Sequence, residues 1–361
     1  MNISSERKAG IVFHTIPEVP WQYPVVTEKA AFESLYKDPG EFNAEYFAFP
    51  WATIIDRYPD EFPLHRARRK KKTALAVCKC ALFDSFSYLL KKTGNTPIEI
   101  PPSKFSLQRL PILENKGMVF TVCQHISYRS LCHVMEEIGI NVCFSSHATS
   151  EDVEYFKLFG IQLRPFPLFP VNVPEPDVNK DLLYSFVGME CRSDNLSNVR
   201  DSIYRMKHPA DSYIKMRTGW HYDKRVYKEQ VRNKLMTEQE HEAENNNTRE
   251  FTRVLAKSRY SLCPSGTGPN NIRFWESLGA GSIPVLLSDQ LLLPEYDWES
   301  CILRVPEKDL ESLPQILRAI TPEREAQMKE NCLKAFKNFS GDNISSPIKK
   351  YLQNPRKQSN R

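Results

Sequence analysis

The chain has 361 residues, 41% hydrophobic and 26% charged, with a formal charge of +5. That is the composition of an ordinary globular protein, long enough for two cores. No apolar run approaches the roughly 18 residues that a membrane span requires.

The first hundred residues are rich in aromatics and proline, and only a short helix over Trp51–Arg57 stands out. The basic excess gathers in RARRKKK, Arg66–Lys72. This stretch is expected either as a solvated surface or as a peripheral contact with anionic headgroups or a polyanionic acceptor. No zinc finger or basic-aromatic interleaving accompanies it, which argues against nucleic acid. TALAVCKCALFD then predicts a buried strand. From Gly117 the order is regular: strand GMVFTVCQ, helix SYRSLCHVMEEIG closed by Gly139, strand INVCFSSH, helix SEDVEYFKLFG capped by Ser150 and closed by Gly160, strand IQLRPFP. This β-α-β-α-β alternation is the pattern of a parallel sheet with helices on its faces. It defines a first domain over residues 1–170.

Proline-rich residues 171–181 are expected to be a linker. The alternation restarts with strand LLYSFVGM, a helix capped by Asn195, and strand SYIKMRTG. A polar stretch beginning at Asp223 is predicted as a helix decaying into a mobile loop, before a short helix TREFTRVLAKS and strand RYSLCP. The second domain runs to residue 321. A helix over 322–339 carries Met328, Cys332, Ala335, Phe336 and Phe339 at a spacing suited to docking back on the first domain. Residues 340–361 are expected to be partly disordered.

Nine cysteines, an odd number without paired zinc spacing, point to reduced thiols rather than a disulfide framework. The first twenty residues lack the basic-then-apolar order of a secretory leader. A cytoplasmic protein is therefore expected, with at most peripheral membrane contact.

The most informative stretch is LCPSGTGPNNIRFWESLGAGSIPVLLSD, Leu262–Asp289. It reads as strand, glycine loop, helix, turn, strand. Gly266 and Gly268 allow a close backbone approach and positive φ, and the helix start near Asn270 offers unpaired amides and a dipole suited to phosphate. Arg273 lies one turn in, and Glu276 three residues on along the same face. The first suits a diphosphate and the second a pair of ribose hydroxyls. The stretch is neither a Walker A loop nor a dinucleotide fingerprint, and an Arg–Glu surface pair is the alternative.

The segment Thr248–Leu317 resembles the C-terminal signature of the exostosin family of glycosyltransferases. The matching residues are Ser258, Leu262-Cys263-Pro264, Gly266, Arg273, Glu276-Ser277-Leu278, Gly281, Ile283-Pro284-Val285, Ser288-Asp289, Pro294 and Trp298. YSFVG and NVRDSIYRM upstream are similar to a further family segment. The family usually has arginine where this chain has Ser265; Arg192, Arg200, Arg217 and Arg225 are candidate substitutes.

The resemblance implies an α/β fold of the GT-B type, two Rossmann-like domains facing across a cleft. It also implies inverting transfer of a sugar from a nucleotide-sugar donor, UDP most often, to a glycan acceptor in surface polysaccharide or glycolipid synthesis. No metal cofactor is expected. The implied donor site comprises Gly188, Arg192, Arg217, Ser265, Gly266, Thr267, Gly268, Asn271, Arg273 and Glu276, with Arg273 also counted as catalytic. His125, at the end of strand MVFTVCQ, is the first choice of base, with Asp56, Asp60, Asp84 and His147 as alternatives. Arg129 and Trp51 are the acceptor candidates, and Trp220 and His221 could line the donor pocket. A noncatalytic glycan- or polyanion-binding protein and a nucleotide-sugar epimerase are the competing readings.

Overall fold

The computed structural model describes residues 2–58, 117–176 and 179–354. The basic run Arg66–Lys72, the strand expected around Cys78 and Cys80, and the candidates Asp60 and Asp84 lie outside them. The chain divides into two compact units. The first comprises residues 1–22, 27–166 and 347–361, and the second residues 23–26 and 167–346.

The first unit is built on a six-stranded sheet. Its strands are β1 (Ser4–Lys8), β2 (Ile11–Thr15), β3 (Ala44–Phe47), β4 (Met118–Cys123), β5 (Val142–Ser145) and β6 (Gln162–Pro165), in that spatial order. All neighbours are parallel except β1, which folds back antiparallel on β2. AEYF and VCFS are buried at every position, as strands covered on both faces must be. The exposed, polar SSERK of β1 forms the edge. Helix α1 (Thr27–Lys37) precedes β3, α2 (Trp51–Arg57) follows it, and α3 (Cys132–Glu137) and α4 (Ser150–Lys157) make the later crossovers. Sequence patterning missed β1, β2, α1 and β3 because this region mixes aromatics with charge and shows no clear period. Thr149, one residue earlier than expected, caps α4 by accepting the Asp152 amide at 3.1 Å.

Trp51 corrects one expectation. It is fully buried, and its Nε1–H donates to Thr121 Oγ1 at 2.7 Å, so the ring that was to stack on an acceptor sugar belongs to the core.

The second unit has five strands: β7 (Leu182–Met189), β8 (Ser212–Arg217), β9 (Ser258–Pro264), β10 (Ile283–Leu287) and β11 (Leu303–Arg304). All pair in parallel, in the order β11-β10-β9-β7-β8. The chain lays β8 on one side of β7 and then β9 on the other. Such a reversal leaves a crevice beyond the carboxyl ends of the two strands, where open α/β sheets take ligands. Helix α5 (Val199–Arg205) joins β7 to β8, and α6 (Glu238–Lys257) leads into β9. Helix α7 (Ile272–Gly279) joins β9 to β10, which follows a turn at Gly281 with φ +57°.

Four expectations are revised here. First, the cap of α5 is Asn198 rather than Asn195. Second, the polar stretch before β9 does not decay into a loop. A π-helical segment over Lys224–Val231 and a short break lead into the twenty-residue helix α6, started by a capping box in which Thr237 and Glu240 satisfy each other's amides. Glu240, Glu244 and Glu250 pair with Lys228, Arg225 and Arg217, which outweighs the poor helix propensity of Asn245, Asn246 and Asn247. Third, the stretch expected as a linker packs on the second unit. The amide of Asn172 donates to Glu276, and Leu168, expected at the end of the first domain, also lies in the second unit's core. Fourth, α9 (Pro322–Phe339) does not return to the first unit. Met328, Cys332, Ala335 and Phe339 join the second unit's core, with Phe339 stacked 5.3 Å from Trp298. Between β11 and this helix lies the short α8 (Leu313–Arg318). The chain rejoins the first unit only through α10 (Ser346–Gln353), an ordered helix where disorder was expected. There Tyr351 packs edge-on to Phe144 and donates to Gln162 at 2.6 Å.

Candidate functional site

The loops after β7 and after β9 meet at the strand-order reversal, and two arginines join them. Arg273, in the first turn of α7, donates from Nη1 to the Leu262 carbonyl at 3.3 Å and from Nη2 to the Val187 carbonyl. Its guanidinium lies 4.6 Å from the centroid of the Phe186 ring. Arg200, from α5, donates from Nε to the Ser265 carbonyl at 2.9 Å and from Nη1 to the Met189 carbonyl at 3.3 Å. Its guanidinium lies 6.0 Å from the same ring.

Neither guanidinium has a carboxylate within 4.0 Å among the described residues. Burial lowers the pKa of both; that of Arg273 falls to about 10, so it stays charged at neutral pH. Cations drawn even partly out of water are ordinarily paired, and these two are half-buried. A guanidinium has five N–H donors, of which each uses two on backbone, leaving three for a ligand.

The glycine loop is shaped by Arg200 rather than by unusual dihedrals. Neither Gly266 nor Gly268 adopts positive φ, contrary to expectation. A Cβ on Gly266 would stand 2.6 Å from Arg200 Nη2, so this residue must be glycine for the arginine to lie where it does. Asn271 caps α7: its Oδ1 accepts the Phe274 amide at 3.0 Å, and its Nδ2 donates to the Pro264 carbonyl at 3.1 Å. The amides of Thr267, Gly268 and Ile272 have no acceptor among the described residues. The helix start is thus partly satisfied by its own cap, with further donors left over.

The remaining expected donor-site residues divide. Gly188 is at the end of β7, where its carbonyl accepts from Tyr204 at 2.6 Å. Ser265 is buried; its hydroxyl lies 3.2 Å from Ser197 Oγ and donates to Glu307 Oε1 at 3.2 Å. Glu276 is buried and accepts the Asn172 amide at 2.7 Å. Burial pushes its pKa up to about 7 against the pull of that amide and of Arg273. Arg217 is neutralised by Glu250 at 3.2 Å. Arg192 is exposed, with Asp194 3.9 Å away. Arg225 pairs with Glu244. Of the cations weighed for the missing arginine, only Arg200 reaches the loop. His221 meets Thr248 Oγ1 at 2.9 Å, and burial with Arg217 and Arg225 nearby drops its pKa to about 4. Trp220 is partly exposed, 5.8 Å from Tyr222.

In the first unit, buried acids gather at the end of β4. His125 Nδ1 accepts the Ser127 amide at 2.9 Å, which leaves the proton of the neutral ring on Nε2, 3.8 Å from Asp56 Oδ1. Asp56 Oδ2 accepts from Gln22 at 2.9 Å, and Gln22 in turn accepts from Gln124 at 3.1 Å. Glu28 accepts the amides of Gln124 at 3.0 Å and of Ala52 at 3.2 Å. Burial, reinforced by Asp56, pushes the pKa of Glu28 up to about 8. His125 therefore turns an N–H toward Asp56, and the carboxylate is the better proton acceptor of the two. Sequence reading missed Glu28 because the amide it holds at Gln124 lies 96 residues away. His147 is also buried, and its carbonyl accepts from Tyr128. Arg129, expected at the acceptor, is spent on Glu151 at 3.0 Å and covers the Tyr155 ring at 3.9 Å.

Residues 136–320, just over half of the chain, match the exostosin GT47 domain. The chain belongs to the exostosin GT47 family. A relative, the exostosin-1 homolog of Caenorhabditis elegans, is 26% identical over 208 residues, 53% of this chain and 52% of that protein. Another, named as a probable glucuronosyltransferase of Oryza sativa subsp. japonica, is 39% identical over 66 residues, 18% of this chain and 16% of its own. The exostosin chain here thus spans about half the length of its worm relative and less of the rice one. Among solved structures, Anabaena HepE in complex with UDP and glucose is 10% identical with a TM-score of 0.39, covering 66% of this chain and 72% of that one. That likeness is too slight to carry an assignment. No helix among the described residues is long and apolar enough to cross a membrane.

Proposed function

We propose that this exostosin-family chain is a glycosyltransferase that takes a sugar from a nucleoside-diphosphate donor, UDP first, and delivers it with inversion to a hydroxyl of a glycan acceptor. The observation that supports this most is the pair of half-buried guanidiniums, Arg200 and Arg273, left without carboxylates among the described residues at the strand-order reversal of the second unit. A diphosphate supplies the missing negative charge, and the spare amides of Thr267, Gly268 and Ile272 add donors to it.

In the proposed reaction the acceptor oxygen forms a bond to the anomeric carbon as the bond from that carbon to the diphosphate oxygen breaks. The electron pair leaves with the diphosphate, whose growing charge the two guanidiniums stabilise. This reading assigns that task to arginines and not to a metal. The reading assigns the acceptor's proton to Asp56, whose carboxylate is held by a hydrogen bond from Gln22. Glu276 keeps its expected place at the ribose, at the cost of sharing an oxygen that already accepts a backbone amide. The glycan product and peripheral attachment to a membrane belong to the same reading.

The test is calorimetric titration with UDP and the other nucleoside diphosphates, followed by a transfer assay with the nucleotide sugar that binds. Binding that disappears in Arg200→Met and Arg273→Met supports the reading. If no nucleoside diphosphate binds the native chain, the reading fails.

A further inference from the structure

Beside the glycine loop the second unit holds a cavity of about 110 Å³, several times the roughly 10–15 Å³ that a single water takes. Its polar lining is Ser197, Ser265, Ser288, Asp289, Gln290 and Glu307, from the ends of β9 and β10 and the loops facing them. No cationic side chain contributes.

The cavity is an organised structure. Ser265 Oγ lies 3.2 Å from both Ser197 Oγ and Glu307 Oε1, and the Glu307 amide donates to Asp289 Oδ1 at 3.3 Å. One polar group is left over. Ser288 is 3% exposed and lines the cavity, yet its hydroxyl has no hydrogen-bond partner among the described residues. That hydroxyl is available to bond a ligand entering the cavity.

Ser265 also joins this cavity to the proposed diphosphate site. Its hydroxyl takes part in the cavity, while its carbonyl accepts from Arg200. One residue thus lies between the Arg200 guanidinium and the acidic cavity.

We propose that this cavity receives the transferred sugar of the donor and selects an uncharged sugar over one bearing a carboxylate. Carboxylates and serine oxygens accept hydrogen bonds from sugar hydroxyls, and a hydroxyl-rich ring can both donate to Glu307 and Asp289 and accept from Ser288. A uronic acid would bring a third carboxylate against these two with no cation to offset it. The inference rests on the diphosphate reading but goes further, because the family site alone does not set the charge of the sugar.

The experiment titrates UDP, UDP-glucose and UDP-glucuronate into the native chain and into Glu307→Gln and Asp289→Asn. Both variants keep the oxygen that accepts the local hydrogen bond. The expected result is that UDP-glucuronate binds the native chain at least tenfold more weakly than UDP-glucose. In the variants the gap should close to within about threefold, with UDP affinity unchanged. Equal affinity of the native chain for the two nucleotide sugars, or a gap that survives in both variants, overturns the proposal while leaving the diphosphate reading intact. Failure of UDP itself to bind overturns both.

Discussion

The two units carry related sheets and place different ionisable groups at their strand ends. At the carboxyl ends of β7 and β9 the second unit holds two half-buried arginines that no carboxylate among the described residues neutralises. At the end of β4 the first unit buries Glu28 and Asp56, supported by amides, glutamines and one histidine. The contrast teaches that the same strand-end geometry serves different chemistry according to which charge is left unbalanced. Excess positive charge suits a leaving diphosphate, and buried carboxylates suit a hydroxyl proton.

The sharpest way to break this comparison is at Asp56. Asp56→Asn keeps the hydrogen bond from Gln22 but removes the proton acceptor. The turnover rate should fall by about 10²–10⁴-fold with UDP affinity unchanged, measured by transfer kinetics beside calorimetry. An unchanged rate would strip the first unit of its assigned role. On the cationic side, Arg273→Met should weaken UDP by about a hundredfold, since a charge-assisted contact of about 1.5–3 kcal/mol is lost. Its melting temperature should stay near that of the native chain, because methionine removes a half-buried charge that no carboxylate among the described residues pairs. Gly266→Ala should cost about tenfold in UDP affinity by displacing Arg200. A full-strength site in that variant would mean that the position of Arg200 is irrelevant to binding.

The smallest effect is on stability against pH. Glu28 and Glu276 hold their protons in the native state up to about 8 and about 7, against 4.5 for an ordinary glutamate. Between those values the native state binds more protons than the unfolded state, so stability falls as pH rises. His221, depressed from 6.5 to about 4, works in the opposite direction, but only below 6.5. Melting temperatures recorded from pH 6.5 to 8 should therefore decline, and Glu28→Gln should flatten that decline.

The signature from Leu262 to Asp289 was legible because its function and its fold coincide locally. A strand, a loop and a helix start follow one another within one segment, and Arg273 sits where spacing places it. The exact helix over Pro322–Phe339 was legible too, but its partner was not: an apolar stripe says that a face is buried, not against what. Trp51 misled for the same reason, since an aromatic suits both a core and a sugar. Arg200 and Glu28 act on backbone 65 and 96 residues away, and no local pattern announces contacts of that range. The loop glycines were recognised for flexibility, whereas Gly266 is needed for clearance.

Arg273 is tied to the carbonyls of Val187 and Leu262 on neighbouring strands, so its side chain has few rotamers to explore. A free arginine forfeits up to about 2 kcal/mol of conformational entropy when a ligand immobilises it. This one has already surrendered that freedom in folding, so an incoming anion meets a charge that is aimed before it arrives.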